Sequence, residues 1–326
     1  MRNASFIATL ALLLIGNAAG AAAPAGAERY PEKPMRFIVP FPPGALNDYL
    51  GRLLAAKFSE NWGKQMVVDN RAGGSTIIGT EMAAKSPPDG YTLLLCSVAL
   101  AVNQTLFPKL PYNTDRDLAF VSMVAATPYL LVVQPQMPVK TLQDLVALAK
   151  AKPGQLNYGS TGNGGTSNLM GEMLKTMAKI DIVHIPYKGL APALTDMMGG
   201  QINIAFGGYS TVGELWKSGR LRAIAFTSAK RSPYTPDLPT IAESGYPGYE
   251  ATPWWGLAVP AGTPKPIIAK INAEVRHIMK SPDVLEQMKS RAIEVWVSTP
   301  EELTAYYQKE VARWANVVKT SHIKAE

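Results

Sequence analysis

The stretch VPFPPGALND, from Val39 to Asp48, joins an apolar run to a segment with helical periodicity. The run from Met35 to Pro40 is predicted to be a buried strand, because it is short, apolar and bounded by a turn. The segment from Asn47 to Asn61 is predicted to be a helix, because Leu50, Leu53, Leu54 and Phe58 recur at helical spacing. The prolines stiffen the junction and Gly44 leaves room beside the backbone, which a plain turn does not require. The junction is therefore a candidate binding loop, in which Asp48 is expected to cap or orient the helix start, or to contact water.

Strands and helices alternate along the rest of the chain. Further strands are predicted at 65–69, 92–96, 130–134, 156–158, 183–186, 202–206, 221–227 and 255–259, and further helices at 76–85, 166–178, 191–198, 265–280 and 283–291. Two more helices are predicted from their first residues, which are Thr141 with Asp144 and Thr299 with Pro300 and Glu302. This alternation favours an α/β fold with parallel sheets covered by helices.

The chain of 326 residues is long for one hydrophobic core and suits two domains. A second α/β series begins near Tyr129, and a turn-rich stretch from Ser232 to Pro253 precedes a late strand. We expect a discontinuous first domain, residues 28–128 and 254–326, and a second domain, residues 129–253.

The first 27 residues have the features of a signal peptide. Arg2 gives a short positive start, residues 6–15 are apolar, and Ala25-Gly26-Ala27 is a candidate cleavage site, with cleavage after Ala21 or Ala23 as alternatives. The apolar run is too short to cross a bilayer, and an uncleaved anchor is the competing interpretation. We expect residues 1–27 to be removed, and the mature protein to be periplasmic without a membrane span.

Several classes of function are disfavoured by the sequence. Cys96 is the single cysteine, so no intramolecular disulfide forms, and its apolar neighbours indicate a buried residue rather than a catalytic thiol. The three histidines have no metal-ligand neighbour at useful spacing, and His184 lies in a strand, where a structural role is expected. Neither a G-x-S-x-G elbow nor a G-x-x-x-x-G-K-[ST] phosphate loop occurs. The net charge of +7 comes from scattered lysines and arginines, which argues against a nucleic-acid surface. We therefore expect neither an enzyme nor a metal site, with no cofactor and no nucleic-acid partner.

A second junction rich in small residues, GSTGNGGT from Gly159 to Thr166, also precedes a predicted helix. The first amides of a helix have no partner within it and, with the helix dipole, they bind anions. The side chains of Ser160, Thr161 and Asn163 add neutral donors, and the two hydroxyls are expected to point into a cleft. A single junction of this kind is read more simply as a capped turn. Two of them, in separate α/β series, predict a cleft that closes on an anionic ligand from both sides.

Several motifs, in order, resemble one known family. They include KPMRFIVPFPPG at 33–44, VVDNRAGG at 67–74, LNYGSTGNGG at 156–165 and WWGLAVPAGTP at 254–264. These resemble the periplasmic solute-binding proteins of tripartite tricarboxylate transporters, often called Bug-type proteins, from Tyr30 nearly to the end of the chain. The resemblance implies a two-domain α/β fold of the type II periplasmic-binding-protein class, with a ligand cleft between the domains. It also implies a monomer that binds a small carboxylate and has membrane transporter subunits as partners.

The resemblance places ligand contacts on both junctions and on nearby strand ends. The predicted contacts are Phe41, Pro43, Gly44, Ala45, Leu46, Asn47, Asp48, Ser97, Ser160, Thr161, Gly162, Asn163, Gly164, Thr166, Asn168, Tyr187, Gly207 and Gly208. Such loops in the family hold a carboxylate mainly through backbone amides, hydroxyls and water. Three departures weaken any transfer of ligand identity. Ala45 stands where the family commonly has glycine, Asn168 where it often has histidine, and Gly207-Gly208 where an aspartate is common.

The chemical class of the ligand stays open within the carboxylates. Five aromatic residues either make room for a flat aromatic acid or belong to the core and the hinge: Tyr49, Phe206, Tyr209, Trp254 and Trp255. A dicarboxylate is the other option. The predicted function is capture by hinge closure and delivery to a transporter. The alternative is a ligand sensor that docks on a sensor kinase, and an enzyme comes third.

Overall fold

The computed structural model describes residues 28–44, 46–233, 235–321 and 323. The signal peptide predicted at 1–27 and the predicted contact Ala45 lie outside the described residues. The strands are β1 (Met35–Val39), β2 (Met66–Asn70), β3 (Thr92–Ser97), β4 (Leu118–Ala126), β5 (Tyr129–Val133), β6 (Asn157–Ser160), β7 (Val183–Pro186), β8 (Ile204–Gly208), β9 (Arg222–Phe226), β10 (Trp254–Pro260) and β11 (Glu294–Val295). The helices are α1 (Leu46–Trp62), α2 (Ile77–Ala84), α3 (Ala99–Leu106), α4 (Thr114–Asp117), α5 (Leu142–Ala151), α6 (Thr166–Ala178), α7 (Leu190–Met198), α8 (Tyr209–Lys217), α9 (Lys265–Lys280), α10 (Pro282–Ser290) and α11 (Pro300–Thr320).

The strands form two sheets. The first has the order β11-β4-β10-β3-β1-β2, and the second has the order β7-β6-β8-β5-β9. β1 runs parallel to β2 and β3, and β6 runs parallel to β7 and β8. β10 is antiparallel to β3 and β4, whereas β5 is antiparallel to β8 and β9. Both sheets are therefore mixed, which corrects the expectation of parallel sheets. β5 and β10 each enter after the chain changes sheets, so the β-α-β connection that enforces parallel pairing does not apply to them.

The chain changes sheets at two neighbouring places. It leaves the first sheet after Ala126 and returns to it at Trp254. The Thr127 N–H donates to the Pro253 carbonyl at 3.0 Å, and the Ala251 N–H donates to the Thr227 carbonyl at 2.9 Å. Two crossings held side by side are the arrangement in which a hinge works. We retain residues 28–128 with 254–326, and residues 129–253, as the proposed domain limits.

The helix starts predicted from capping residues are confirmed. Thr141 with Asp144, and Thr299 with Glu302, each form a reciprocal capping box at the start of α5 and α11. Five elements have no counterpart among those predicted from the sequence: α3, α4, α8, β4 and β11. β4 is almost entirely buried and rich in alanine, so it shows no alternation of apolar and polar residues.

The last helix, α11, contacts elements that belong to both sheets. It packs against β4 and α3 on one side and against α6 on the other. Its predicted apolar stripe is buried at Leu303, Tyr307, Trp314 and Val318 and partly buried at Val311. Burying each large apolar side chain contributes about 1.5–3 kcal/mol. Within the part of the chain that the structure describes, no helix is both long and apolar enough to cross a bilayer.

Candidate functional site

The carboxyl ends of the parallel strands define the candidate site. In the first sheet, β1, β2 and β3 lead into loops at 40–44, 71–76 and 97–98. In the second sheet, β6, β7 and β8 lead into the loop at 161–165, the loop at 187–189 and the start of α8. Ligands of open α/β sheets bind at this edge. The predicted contacts therefore fall into two groups. The first group, on the first sheet, is the loop from Phe41 to Asp48 with Ser97. The second group, on the second sheet, is Ser160 to Gly164, Thr166, Asn168, Tyr187, Gly207 and Gly208.

Asp48 holds the loop of the first group in place. Its buried carboxylate accepts hydrogen bonds from the Gly44 N–H at 3.0 Å, from Nε of Arg52 at 2.9 Å and from Nδ2 of Asn70 at 2.9 Å. The same Asn70 amide also donates to the Phe41 carbonyl at 3.1 Å. The hydrogen bond from Arg52 lowers the pKa of Asp48 to about 2, with smaller contributions from Gly44 and Asn70 against the opposing effect of burial. Asp48 thus anchors the loop through Gly44, and Arg52 compensates its negative charge.

Gly44 gives the loop its shape and its open side. Its φ of 90° lies in the left-handed region, which favours glycine. A Cβ built there would meet nothing within 4 Å, so the space beside this backbone is open. Pro43 is exposed beside it, and Phe41 is partly buried against the core. The Gly44 N–H already donates to Asp48 and the prolines have no N–H, so the open side at Gly44 offers a ligand room rather than a free amide.

Three other predicted contacts of the first group have structural partners. The Asn47 side-chain oxygen accepts a hydrogen bond from the indole N–H of Trp255. Leu46 packs against the core. The Ser97 hydroxyl accepts a hydrogen bond from the Ala99 N–H, at the start of α3, at 3.3 Å. These side chains are therefore engaged within the protein.

Four backbone amides of the second loop are already hydrogen-bonded within the protein. The pairs are Thr161 N to Ser167 Oγ at 2.9 Å, Gly162 N to Ser160 Oγ at 3.1 Å, Gly164 N to Asn168 Oδ1 at 3.0 Å and Gly165 N to Gly162 O at 3.2 Å. These four groups are not free donors, because short polar side chains of the loop and of the first turn of α6 fold back onto it. The first helical amide with a backbone partner is that of Leu169, which donates to the Gly165 carbonyl at 3.0 Å. The amides of 166–168, at the positive end of α6, are therefore the loop's candidate donors for an anion.

The Ser160 hydroxyl does not point into a cleft, which corrects a second expectation. Ser160 is fully buried, and its Oγ lies 2.5 Å from Nε2 of His184 and 3.2 Å from the Gly162 carbonyl. His184 stacks on the Tyr158 ring, with centroids 5.0 Å apart. His184 therefore has the structural role expected for it. Thr161 and Asn163 are exposed on the outer side of the same loop.

Asn168 positions the loop from beneath. It is 3 % exposed, and its Nδ2 donates to the Tyr158 hydroxyl at 2.8 Å while its Oδ1 holds the Gly164 amide. Tyr158 donates in turn to Glu172 at 2.7 Å, and Glu172 accepts from Lys175 at 2.9 Å. Burial, with the Glu172 charge beside it, raises the pKa of Tyr158. Because both ends of the Asn168 amide are used, it supports the loop rather than touching a ligand through its side chain.

The remaining contacts of the second group stand at the ends of β7 and β8. The Tyr187 N–H donates to the Ser160 carbonyl at 3.0 Å, which places the two strand ends side by side. The Tyr187 hydroxyl donates to Asp196 at 2.8 Å, and burial together with this bond raises its pKa to about 12. A Cβ on Gly207 would come within 2.5 Å of the Val212 side chain, so this glycine allows α8 to pack on the strand end. Gly208 is buried at the N-cap of α8, and Thr166 is partly buried at the start of α6.

One contact joins the two groups through α3. A Cβ on Gly164 would lie 2.8 Å from Cδ2 of Leu106, the last residue of α3. Further back on α3, Nδ2 of Asn103 donates to the Ser75 carbonyl in the loop after β2 at 2.8 Å. Ser75 and Thr76 both have positive φ, and such outliers cluster at functional sites. The helix that the sequence analysis missed therefore connects loops of both sheets.

The aromatic residues divide between the core and the site. Phe206 and Trp254 are fully buried, and the Trp254 indole N–H donates to the buried Glu310 at 3.2 Å, so both belong to the core. Tyr49 and Tyr209 are partly buried near the two groups. Cys96 is a buried free thiol, as predicted, and burial raises its pKa to about 12. Among the described residues, no group of three or more His, Cys, Asp or Glu side chains is arranged to hold a metal ion.

Several residues that build the site were not predicted as contacts from the sequence. Asn70, Ser167 and His184 act through partners from 6 to 24 positions away along the chain, such as Asp48, Thr161 and Ser160. A strand-ending asparagine or a serine in a first helical turn is common, so neither stands out before the fold is known.

Comparison with known proteins gives a consistent result. The family described as "Tripartite tricarboxylate transporter family receptor" matches residues 50–323. Protein BugT of Bordetella pertussis is 39% identical over 308 residues, which is 94% of this chain and 94% of that protein. The structure of R. palustris Rpa4515 with adipate is 34% identical in sequence, with a TM-score of 0.78. The match covers 90% of this chain and 99% of that chain. The structure of MatC from Rhodopseudomonas palustris with bound malate is 29% identical in sequence, with a TM-score of 0.74. The match covers 89% of this chain and 100% of that chain.

Proposed function

The chain belongs to the tripartite tricarboxylate transporter receptor family and has the two-sheet α/β fold of its periplasmic binding proteins, and from that premise we propose that it captures a small organic carboxylate in the periplasm. It then passes the acid to the membrane subunits of a transporter and catalyses no reaction. The observation that carries this proposal is the pair of solved relatives with adipate and malate, two acids that share the carboxylate group.

The geometry suits a carboxylate held by neutral donors at one end. The start of α6 supplies amides at 166–168 beside the exposed Thr161 and Asn163. The Phe41–Asp48 loop faces solvent with the open backbone at Gly44. Asp48 is neutralised by Arg52, so it does not repel an anion strongly. We propose that the predicted contacts of both loops close around the acid, with Asp48, Ser160 and Asn168 acting as supports.

Closure follows from the two neighbouring crossings between the sheets. Rotation there brings the loops of β1 and β6 together over the ligand, as in other hinge-bending proteins. The signal peptide at 1–27 and the domain limits given above are part of this proposal, as are a monomeric state and the absence of a nucleic-acid partner.

A thermal-shift screen of the purified mature protein tests the proposal. The panel contains mono-, di- and tricarboxylates, both aliphatic and aromatic, with sugars and metal cations as the comparison set. An organic acid at about 100 times its dissociation constant should stabilise the protein by roughly 2.7 kcal/mol, while sugars and cations do not. A best hit without a carboxylate would overturn the proposed ligand class.

A further inference from the structure

His184 lies directly behind the loop of the second group, on the edge strand of the second sheet. Its Nε2 is 2.5 Å from the Ser160 hydroxyl oxygen, and its ring stacks on the Tyr158 ring with an interplanar angle of 27°. β7 is at the edge of the sheet and His184 is only partly buried, whereas Ser160 is fully buried. The imidazole therefore exchanges protons with solvent while it contacts a hydroxyl that solvent does not reach.

The Ser160 hydroxyl carries the protonation state of the ring to the loop. It accepts from the Gly162 N–H at 3.1 Å and lies 3.2 Å from the Gly162 carbonyl. A neutral imidazole has one N–H, so Nε2 either accepts the Ser160 proton or donates to the Ser160 oxygen. An imidazolium has an N–H on both nitrogens, so Nε2 only donates, and the Ser160 proton then goes to the Gly162 carbonyl. Protonation of His184 therefore selects the state in which Ser160 bonds to both backbone groups of Gly162.

The same loop leads within a few bonds to the start of α6. The Thr161 N–H, next to Ser160, donates to the Ser167 hydroxyl at 2.9 Å. These short links place the imidazole on the order of 10 Å from the amides of 166–168, the loop's candidate donors. A positive charge at that distance attracts an anion at those amides, and the buried chain between them screens the attraction less than water does. Protonation thus orders the loop and favours a bound anion.

The ionisable groups around the ring leave His184 as the one that titrates near neutral pH. β7 packs against β6 and α6, whose ionisable side chains are Tyr158 on β6 and Glu172 and Lys175 on α6. Burial raises the pKa of Tyr158, which donates to Glu172 at 2.7 Å, and Lys175 forms an ion pair with Glu172 at 2.9 Å. Histidine is the side chain whose ordinary pKa allows a change of charge between pH 5 and 8.

We propose that His184 is a positioning residue of the carboxylate site, and that its protonation orders the loop after β6 and strengthens anion binding. The inference rests on the proposed function and adds a dependence on pH to it. The imidazolium favours a bound carboxylate, and a bound carboxylate favours the imidazolium by the same free energy. Affinity therefore rises as the pH falls from 8 to 6, the range in which histidine ordinarily takes up its proton.

The test is calorimetric titration at pH 6, 7 and 8 with the acid that ranks first in a panel containing adipate and malate. The wild-type dissociation constant should be about two- to sixfold lower at pH 6 than at pH 8, as for one charge about 10 Å from the anion at an intermediate dielectric constant. His184→Gln keeps a neutral polar side chain, so its ratio between the two pH values should lie within about 1.5-fold of one. His277→Gln, on an exposed position of α9, is the matched control and should keep the wild-type ratio.

Proton uptake on binding is a second readout, and it does not require the His184 variant. Titrations at pH 7 in buffers of different ionisation enthalpy measure the protons taken up with the acid. The wild-type protein and His277→Gln should take up about 0.3–0.5 of a proton for each bound acid, and His184→Gln should take up none. A histidine that only supports the fold would change the melting temperature without changing either the affinity ratio or the proton uptake.

The outcomes separate the role of His184 from carboxylate capture. An affinity ratio that His184→Gln shares with the wild type overturns the inference and leaves carboxylate capture standing. If His184→Gln does not fold, the wild-type titrations decide: uptake in the expected range supports the inference, and zero uptake overturns it. If no acid in the panel binds at any pH, carboxylate capture fails, and the inference fails with it.

Discussion

Replacing Ser160 by alanine should destabilise the unliganded protein. Ser160 is fully buried, and its single hydroxyl serves His184 and both backbone groups of Gly162. A hydroxyl has one proton, so it either donates to Nε2 of His184 or accepts from it and donates to the Gly162 carbonyl. In either state the alanine variant leaves the Gly162 N–H without its acceptor. An unsatisfied donor of this kind costs about 1–3 kcal/mol. Because Gly162 is only half-buried, we expect the lower part of that range, about 1–2 kcal/mol.

Thr161→Val is the comparator for Ser160→Ala, because Thr161 lies in the same loop but is exposed, and its hydroxyl has one partner, Ser167 Oγ at 3.1 Å. Its loss of stability should be smaller, about 0.5 kcal/mol, the lower end of the range for one hydrogen bond. Thermal unfolding followed by circular dichroism, without ligand, measures both variants, and about 2–4 °C of melting temperature corresponds to each kcal/mol in proteins of 150–250 residues. If Ser160→Ala melts like the wild type but loses tenfold or more in affinity for the best acid, the hydroxyl serves the ligand and the reasoning from burial is refuted.

Two further substitutions test the supports of the two loops. Asp48→Asn should lose about 1–2 kcal/mol at pH 7, less than the full pKa difference implies because Arg52 is exposed to solvent screening. The pKa of Asp48 in the folded protein is lowered from 3.8 to about 2, so its stabilisation is present above pH 3.8 and is lost as the pH falls through about 2. In urea unfolding, the difference in the free energy of unfolding between wild type and variant should therefore narrow below about pH 4. A difference that stays constant would contradict the charge-based explanation. Gly164→Ala should lower the free energy of unfolding by about 1–2 kcal/mol because of the φ of 68° alone, and contact with Leu106 should lower it further. A variant with wild-type stability in the same unfolding assay would show that the loop does not adopt this conformation.

The elements with local signals were predictable from the sequence. Thr141 and Thr299 fix the starts of α5 and α11 through hydrogen bonds within four residues, so their capping boxes are visible in the chain itself. The strand-to-helix junctions at Phe41 and Gly159 were found for the same reason. The direction of β5 and β10 could not be predicted from the sequence, because it depends on where the chain crosses between sheets.

The site was only partly predictable, because hydrogen-bond partners depend on the tertiary fold. The sequence shows that the loop after β6 is rich in small polar residues, yet it does not show that Asn168 and Ser167 fold back onto the loop's amides.

The central claim, that the protein captures a carboxylate, is tested most directly by removing the negative charge from the ligand alone. The best acid from the thermal-shift screen is titrated calorimetrically beside its primary carboxamide, which keeps the shape but carries no charge. Helix-terminus donors favour the anion, so the amide should bind at least tenfold more weakly, the factor expected for losing one charge-assisted hydrogen bond. Equal affinity for the acid and the amide would contradict the claim, because the site would then recognise shape rather than a carboxylate.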